Sequence, residues 1–275
     1  MRIIINHSIF MTLIILVLSS IITSLALSQE QKRDSLTQKP VIPIKTHHIK
    51  EGYHWERKGV DYYNQYYISP TSVLQCMLIS VQPEKGQYRH SHPHDQVYIV
   101  LKGKGTFYVG DYAFEMQEGE VVNIPYNIEH SSKNTGSEPL EYLNIRASDA
   151  VYHSNPPGMY WNAKWKDCPF IINDGITRYN LIPGGVSSTI SAQLVSVPKG
   201  KSTVSTFWKI GSNQDYHYII IRGRAAIREF THGDTPNPHI EAGPYEVVDI
   251  PCNAAFELET ISSEPCEYIQ VGPIQ

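Results

Sequence analysis

The densest chemical signal in the chain is His90-Ser91-His92-Pro93-His94-Asp95-Gln96, followed after six residues by Gly103. His90 and His92 stand two apart, so on an extended strand both side chains leave the same face. Gln96 has the same parity. A second block follows: Gly119, five residues, Pro125-Tyr126-Asn127, two residues, His130, three residues, Asn134. A strand crossing a barrel mouth would bring His130 to the same point. Imidazoles converging there suit one divalent transition metal, with Fe, Mn, Zn and Ni all open. Two alternating histidines alone are a weak signal; the second block, framed by Gly and Pro, raises them to a candidate site. His94, which follows Pro93, is read as a surface residue.

Such a site needs strands to carry it. Ile, Val, Thr and Tyr recur in short runs, which favours β-structure. Turn signals at Pro83–Gly86, Gly103-Lys104-Gly105, Gly110-Asp111, Glu118-Gly119 and Asn134-Thr135-Gly136 cut those runs into short strands. The same pattern occurs twice. Asp95-Gln96-Val97-Tyr98 is matched by Asp215-Tyr216-His217-Tyr218, and Glu120-Val121-Val122-Asn123-Ile124-Pro125 by Glu246-Val247-Val248-Asp249-Ile250-Pro251. Glu138-Pro139-Leu140-Glu141-Tyr142 is matched by Glu264-Pro265-Cys266-Glu267-Tyr268, and Ser72–Pro83 by Thr189–Pro198. Blocks in one order at an offset of about 115–126 residues indicate an internal duplication.

The expected fold is therefore all-β, with two tandem barrels. The boundaries read as a leader over 1–28, an arm over 29–70 and barrel 1 over 71–148. A packing segment over 149–188 and barrel 2 over 189–275 complete the chain. The two Tyr- and Trp-bearing segments are expected to pack on barrel surfaces or a second subunit. In the second unit Tyr216 stands where the first has Gln96, and Phe256 where it has His130. His90 and His92 correspond to about Ile210 and Ser212, so no ligand survives and a plugged barrel is expected. His217 has the wrong parity to replace a ligand, and His232 and His239 lie in an insertion.

These motifs resemble those of the cupin superfamily, and the resemblance extends over nearly all of the chain after its leader as a bicupin. The family's first motif is G-x5-H-x-H-x3,4-E-x6-G and its second is G-x5-P-x-G-x2-H-x3-N. The resemblance implies a double-stranded β-helix, or jelly roll, with His90, His92 and His130 as metal ligands and position 96 as the fourth. The chain departs from the pattern in three places. Gln96 replaces Glu, Asn127 replaces the inner Gly, and Gly86 lies four rather than six residues before His90. A rival frame, with His92 and His94 as ligands, keeps the leading Gly but puts Tyr98 at the Glu position. Asn tolerates positive φ, so Asn127 preserves the turn.

An amide oxygen carries no charge, so Gln96 with three imidazoles leaves the full +2 on a bound ion. A metal-bound water is then more acidic and an anionic oxygen better held than beside a carboxylate. The change also removes a general base. Tyr98 and Tyr88 share the ligands' parity, and a hairpin about Asn134–Ser137 would set Tyr142 or Asn144 beside His130. Tyr98 and Tyr142 are the candidate catalytic groups. By resemblance the chemistry is that of a lyase or isomerase, or of a dioxygenase, on a small oxygen-rich substrate. A noncatalytic ligand-binding or storage role is the alternative.

The whole chain has 275 residues, 18% of them charged, and a net charge of −4, which gives no footprint for nucleic acid. Arg2, the apolar run Phe10–Leu18 and Ala26-Leu27-Ser28 read as a signal peptide cleaved near Ser28, hence a secreted or periplasmic protein. No later run could cross a bilayer, so no membrane association is expected after cleavage. Cys252 and Cys266 are a conceivable disulfide, but a hairpin turn at Ser262-Ser263-Glu264 would set Cys266 opposite about Thr260, well away from Cys252, and buried thiols are preferred for all four cysteines. Homodimerisation through barrel edges is the family expectation.

Overall fold

A computed structural model of the chain describes residues 44–65, 74–147, 159–187, 189–205, 216–230, 239–251 and 254–273. The expected leader over 1–28 lies outside the described residues, as do Ile210, Ser212, His232 and Cys252. The fold is all-β, two jelly-roll barrels in tandem. A first strand, β1 (Lys45–His48), leads through a single 3-10 turn, Ile49–Glu51, into β2 (Tyr53–Glu56) and β3 (Val60–Gln65). Barrel 1 continues with β4 (Leu74–Val81), β5 (Gln96–Lys102), β6 (Lys104–Val109), β7 (Tyr112–Gln117), β8 (Glu120–Ile124), β9 (His130–Asn134) and β10 (Leu140–Ala147). After β11 (Trp161–Lys164) come β12 (Phe170–Asn173), β13 (Ile176–Asn180), β14 (Ile190–Val197) and β15 (Ser202–Ser205). The chain ends with β16 (Tyr216–Arg222), β17 (Ala225–Glu229), β18 (Ile240–Ala242), β19 (Glu246–Ile250), β20 (Phe256–Thr260) and β21 (Cys266–Pro273).

In barrel 1 a seven-stranded sheet, ordered β11-β8-β5-β10-β4-β3-β2, accompanies a three-stranded sheet, β7-β6-β9. Barrel 2 repeats the plan with β1-β19-β16-β21-β14-β13-β12 and β15-β20-β17-β18. The two segments read as packing arms are thus edge strands. Moreover they are exchanged: β1, which precedes barrel 1, pairs with β19 of barrel 2, whereas β11, which precedes barrel 2, pairs with β8 of barrel 1. Equivalent residues anchor both strands. Asn123 donates to the carbonyls of Met159 and Val186, at 2.6 and 3.1 Å. Asp249 meets His217 at 2.6 Å and His47 at 3.2 Å.

Alternation along the strands separates two faces. Tyr62, Ile79, Tyr98, Val100, Val122 and Tyr142 form the interior of barrel 1. Their neighbours Leu78, Val97, Ile99, Val121, Leu143 and Ile145 point the other way. There they join Leu194, Ile219, Ile269 and Val271 of barrel 2 in one shared core. Each such residue, fully buried, contributes roughly 1.5–3 kcal/mol, so the barrels are joined by a core of their own.

Two hairpins expected from the sequence do not form. β9 pairs with β6, and β10 pairs with β4 and β5; likewise β20 and β21 lie in different sheets. The turn at 135–139 carries the chain from one sheet of the barrel to the other. Cys266 therefore lies across from Val197 rather than Thr260. Cys76, Cys168 and Cys266 are buried thiols, and burial pushes Cys76 and Cys266 up to about 12 and Cys168 to about 11. Among the described residues no helix is long and apolar enough to cross a membrane.

Candidate metal centre

The segment before β5 is stitched to β9 by backbone. Gln87 N–H donates to the Ser132 carbonyl at 2.8 Å, and His90 and His130 exchange both backbone bonds, at 3.1 and 2.8 Å. His90 is thereby placed directly across from His130. Gly86 begins this pairing. A Cβ there would come within 2.6 Å of the Ser132 carbonyl oxygen, so only glycine fits. His92 is fixed from the other side, because its carbonyl accepts from Asn127 N–H at 2.6 Å. Asn127 has φ 58°, the left-handed conformation that asparagine tolerates. Asn134 closes the turn beyond β9 by donating to the carbonyls of Val81 and Glu138 and accepting from Gly136 N–H.

The result is a convergence of His90, His92 and His130, whose candidate ligand atoms all lie within 4.8 Å of one another. Their ring centroids are separated by 4.5 to 5.6 Å. Nδ1 of His90 meets the Tyr88 carbonyl at 2.7 Å, and Nδ1 of His130 meets that of Ile128 at 2.8 Å. A carbonyl only accepts, so each Nδ1 carries the proton and each Nε2 presents its lone pair, the arrangement in which a protein prepares histidine for a metal. Nε2 of His130 is buried with no hydrogen-bond partner. Burial pushes this imidazole down to about 4, opposed by the Ile128 carbonyl and aided by His90 and His92, so it stays neutral.

Gln96 opens β5, in step with Tyr98 and Val100 of the barrel interior. Its amide is fully buried and neither Oε1 nor Nε2 has a hydrogen-bond partner. A buried amide with both ends unsatisfied is costly. Three nitrogen donors with an orphaned amide in step fit a divalent transition metal better than calcium or magnesium, which prefer oxygen.

The tyrosines divide. The Tyr98 ring lies edge-on to His130 at 5.9 Å, and its hydroxyl is buried without a hydrogen-bond partner. Tyr142 sits 5.0 Å from Tyr98 and bonds Ser132 and Gln87, at 2.9 and 3.1 Å. Because β9 and β10 belong to different sheets, Tyr142 faces Ser132 across the interior and does not flank His130. Burial pushes the Tyr98 phenol well above 10, with Tyr142 and Tyr62 adding and Arg146 opposing. Burial also raises Tyr142. Both hydroxyls keep their protons; Tyr142 donates its own to Gln87, whereas that of Tyr98 has no acceptor. Two surface assignments are reversed. His94 is only 4% exposed and stacks on His92, whereas Tyr88 is 52% exposed, with Arg57 over its ring and His90 beside it. The sequence reading also passed over Asn64 and Arg146, which are in step with Tyr62 and Tyr142 and face the same interior. The parity with Tyr142 is the signal that marks Arg146.

In barrel 2 Phe256 is fully buried and packs on Tyr218 at 5.7 Å, as His130 does on Tyr98. His217 faces out of the barrel, toward Asp249.

Residues 77–146 match the family model described as Cupin domain. Among sequence relatives, auxin-binding protein 1 of Arabidopsis thaliana is 35% identical over 65 residues, 20% of this chain and 33% of its own length. Glucose-6-phosphate isomerase of Pyrococcus abyssi is 37% identical over 71 residues, 24% of this chain and 38% of its own. Oxalate decarboxylase OxdC of Bacillus subtilis is 31% identical over 85 residues, 29% of this chain and 22% of its own. The chain thus matches well under half the length of each. Among solved structures, the formate complex of Lactobacillus farciminis oxalate decarboxylase has TM-score 0.68 at 14% identity, covering 87% of this chain and 89% of that one. Protein Ylba from E. coli has TM-score 0.69 at 11% identity, covering 88% and 97%. These two likenesses speak to the fold alone. Match and fold together support the cupin superfamily, and the three histidines support a metal-binding cupin.

Proposed function

We propose that this chain is an exported bicupin that holds one divalent transition metal in barrel 1 and acts on a small oxygen-rich organic substrate. The carrying observation is the convergence of His90, His92 and His130, with Nδ1 of His90 and of His130 tied to backbone carbonyls. Gln96, buried and unsatisfied in step with that interior, is the proposed fourth ligand. When bound, the ion would act as a Lewis acid toward substrate oxygen or a water. Fe, Mn, Zn and Ni all suit the donor set; the solved relatives include an oxalate decarboxylase described with Mn(II) centres. The chain's own groups bind and orient. Tyr98, whose hydroxyl has no partner of its own, would donate to a ligand beside His130, and Tyr142 holds Ser132 and Gln87 in place. With no carboxylate among the four ligands, the site favours isomerisation or elimination over oxygen chemistry. Export rests on the leader over 1–28, and a homodimer through a free edge such as β12 belongs to the same reading.

Elemental analysis of purified protein tests it. One metal per chain is expected, lost in His92→Ala and His130→Ala. Two metals per chain, or none, would refute it. A protein that loads metal but turns over no small oxygenated substrate would instead fit a binding or storage module.

A further inference from the structure

Arg146 lies on β10, directly across from Gln75 on one side and Gln96 on the other. Its parity is that of Asn144 and Tyr142, so it faces the interior of barrel 1. Its Nε donates to Gln75 Oε1, and among the described residues no carboxylate pairs with it. Gln96, across from it, is in step with Tyr98, whose ring lies edge-on to His130. The positive group therefore shares the cavity with the histidine cluster. Along the inward faces of β3, β4, β5, β8, β9 and β10 the one Asp or Glu among the described residues is Glu120, at the end of β8 far from Gln96, where it accepts from Gln117 N–H. A Glu at position 96 would stand across from Arg146 and neutralise it. Gln96 leaves the partly buried guanidinium with no carboxylate partner among the described residues, next to a place built for a cation, and a partly desolvated charge without a partner is costly.

The duplication supplies an internal control. In barrel 2 the positions of Gln96 and Arg146 are taken by Tyr216 and Gly272. A Cβ at Gly272 would collide with the Tyr216 ring, so that ring covers the space the arginine side chain would need. Barrel 2 has an inward arginine of its own, Arg178 on β13 across from Val195, but none opposite Tyr216, so a guanidinium across from position 96 is particular to barrel 1.

We propose that Arg146 is the specificity-determining residue of barrel 1, anchoring the carboxylate of a small anionic substrate, and that Gln96 serves by leaving this guanidinium unneutralised. This rests on the metal-site reading above and names its substrate class. A guanidinium presents parallel N–H donors that match a carboxylate, and a metal-facing oxygen on the same ligand completes the charge balance.

The test is calorimetric titration of metal-loaded protein with malonate and with its neutral diamide, malonamide, alongside elemental analysis. Malonate should bind the natural protein at least tenfold more tightly than malonamide. Arg146→Gln should keep one metal per chain and weaken malonate by about tenfold or more, the effect of losing a charge-assisted hydrogen bond. Arg146→Lys, which keeps the charge but not the parallel donors, should do the same to a smaller degree, and it decides the matter if Arg146→Gln does not fold. Unchanged malonate affinity in either folded, metal-loaded variant overturns the proposal. If the natural protein takes up no metal, the metal reading fails by itself. Arg146 is then judged on metal-free protein: loss of malonate binding in Arg146→Gln sustains the anchor, and no malonate binding in the natural protein sinks it.

Discussion

His130 is a buried base that accepts a penalty for staying deprotonated. Its imidazole sits at about 4 in the folded chain, against 6.5 when exposed. In metal-free protein the unfolded chain therefore takes up a proton between pH 6.5 and 4 that the folded chain refuses. Stability should fall as pH drops through that window, by up to about 3 kcal/mol. His130→Phe, the residue barrel 2 uses at Phe256, should abolish metal uptake, raise the melting temperature of metal-free protein at pH 5 and flatten this slope. Melting curves between pH 4 and 7 check it; an unchanged slope would show that His130 is not the group responsible. The convergence of His90, His92 and His130 was legible because strand parity and Gly- and Pro-framed turns are local signals. Arg146 was not, since nothing in Asn144-Ile145-Arg146 distinguishes it until strand register sets it against Gln96.

Strands and turns hold the cluster to tolerances set by backbone. Gly86 lets the His90 segment approach β9, and the Asn127 turn pins the His92 carbonyl. Gly86→Ala should push the two segments apart, cost about 1–3 kcal/mol and weaken metal binding about tenfold or more, as losses of supporting contacts do. Competition with a chromogenic chelator would measure this, and full-strength binding in the variant would show that the close approach is dispensable. Short strands and positive-φ turns were readable from composition and punctuation. Strand partners were not. The stretch from Asn134 to Pro139 has the composition of a hairpin, yet β9 and β10 join opposite sheets, because each must bury its apolar side in a two-sheet barrel. Local sequence does not distinguish a turn that folds back from one that crosses over.

Across the whole molecule, the outward faces of both barrels merge into one apolar core, with Leu78, Ile99 and Leu143 against Leu194, Ile219 and Ile269. Glu141 of barrel 1 adds a polar clamp, accepting from Lys50 at 2.8 Å and from the Tyr245 hydroxyl at 2.8 Å. Residues 43–275 accordingly form one compact unit. Metal-free protein should unfold in a single calorimetric transition, with hydrogen exchange in β5 and β16 protected to the same free energy. Two separated transitions would show that the shared core does not couple the barrels. The duplication itself was plain in the sequence; that its halves lean on one another was not, since either face of an apolar strand reads alike.

The exchange of β1 and β11 bears on how the chain is made. β1 emerges early from the ribosome, yet its partner Asp249 is synthesised roughly two hundred residues later, a pairing of very long loop closure. Until then the outer edge of β19 does not exist, and Lys45–His48 has nowhere to dock. The first strand among the described residues thus waits for one of the last, and its arrival closes that edge of the second barrel like a latch.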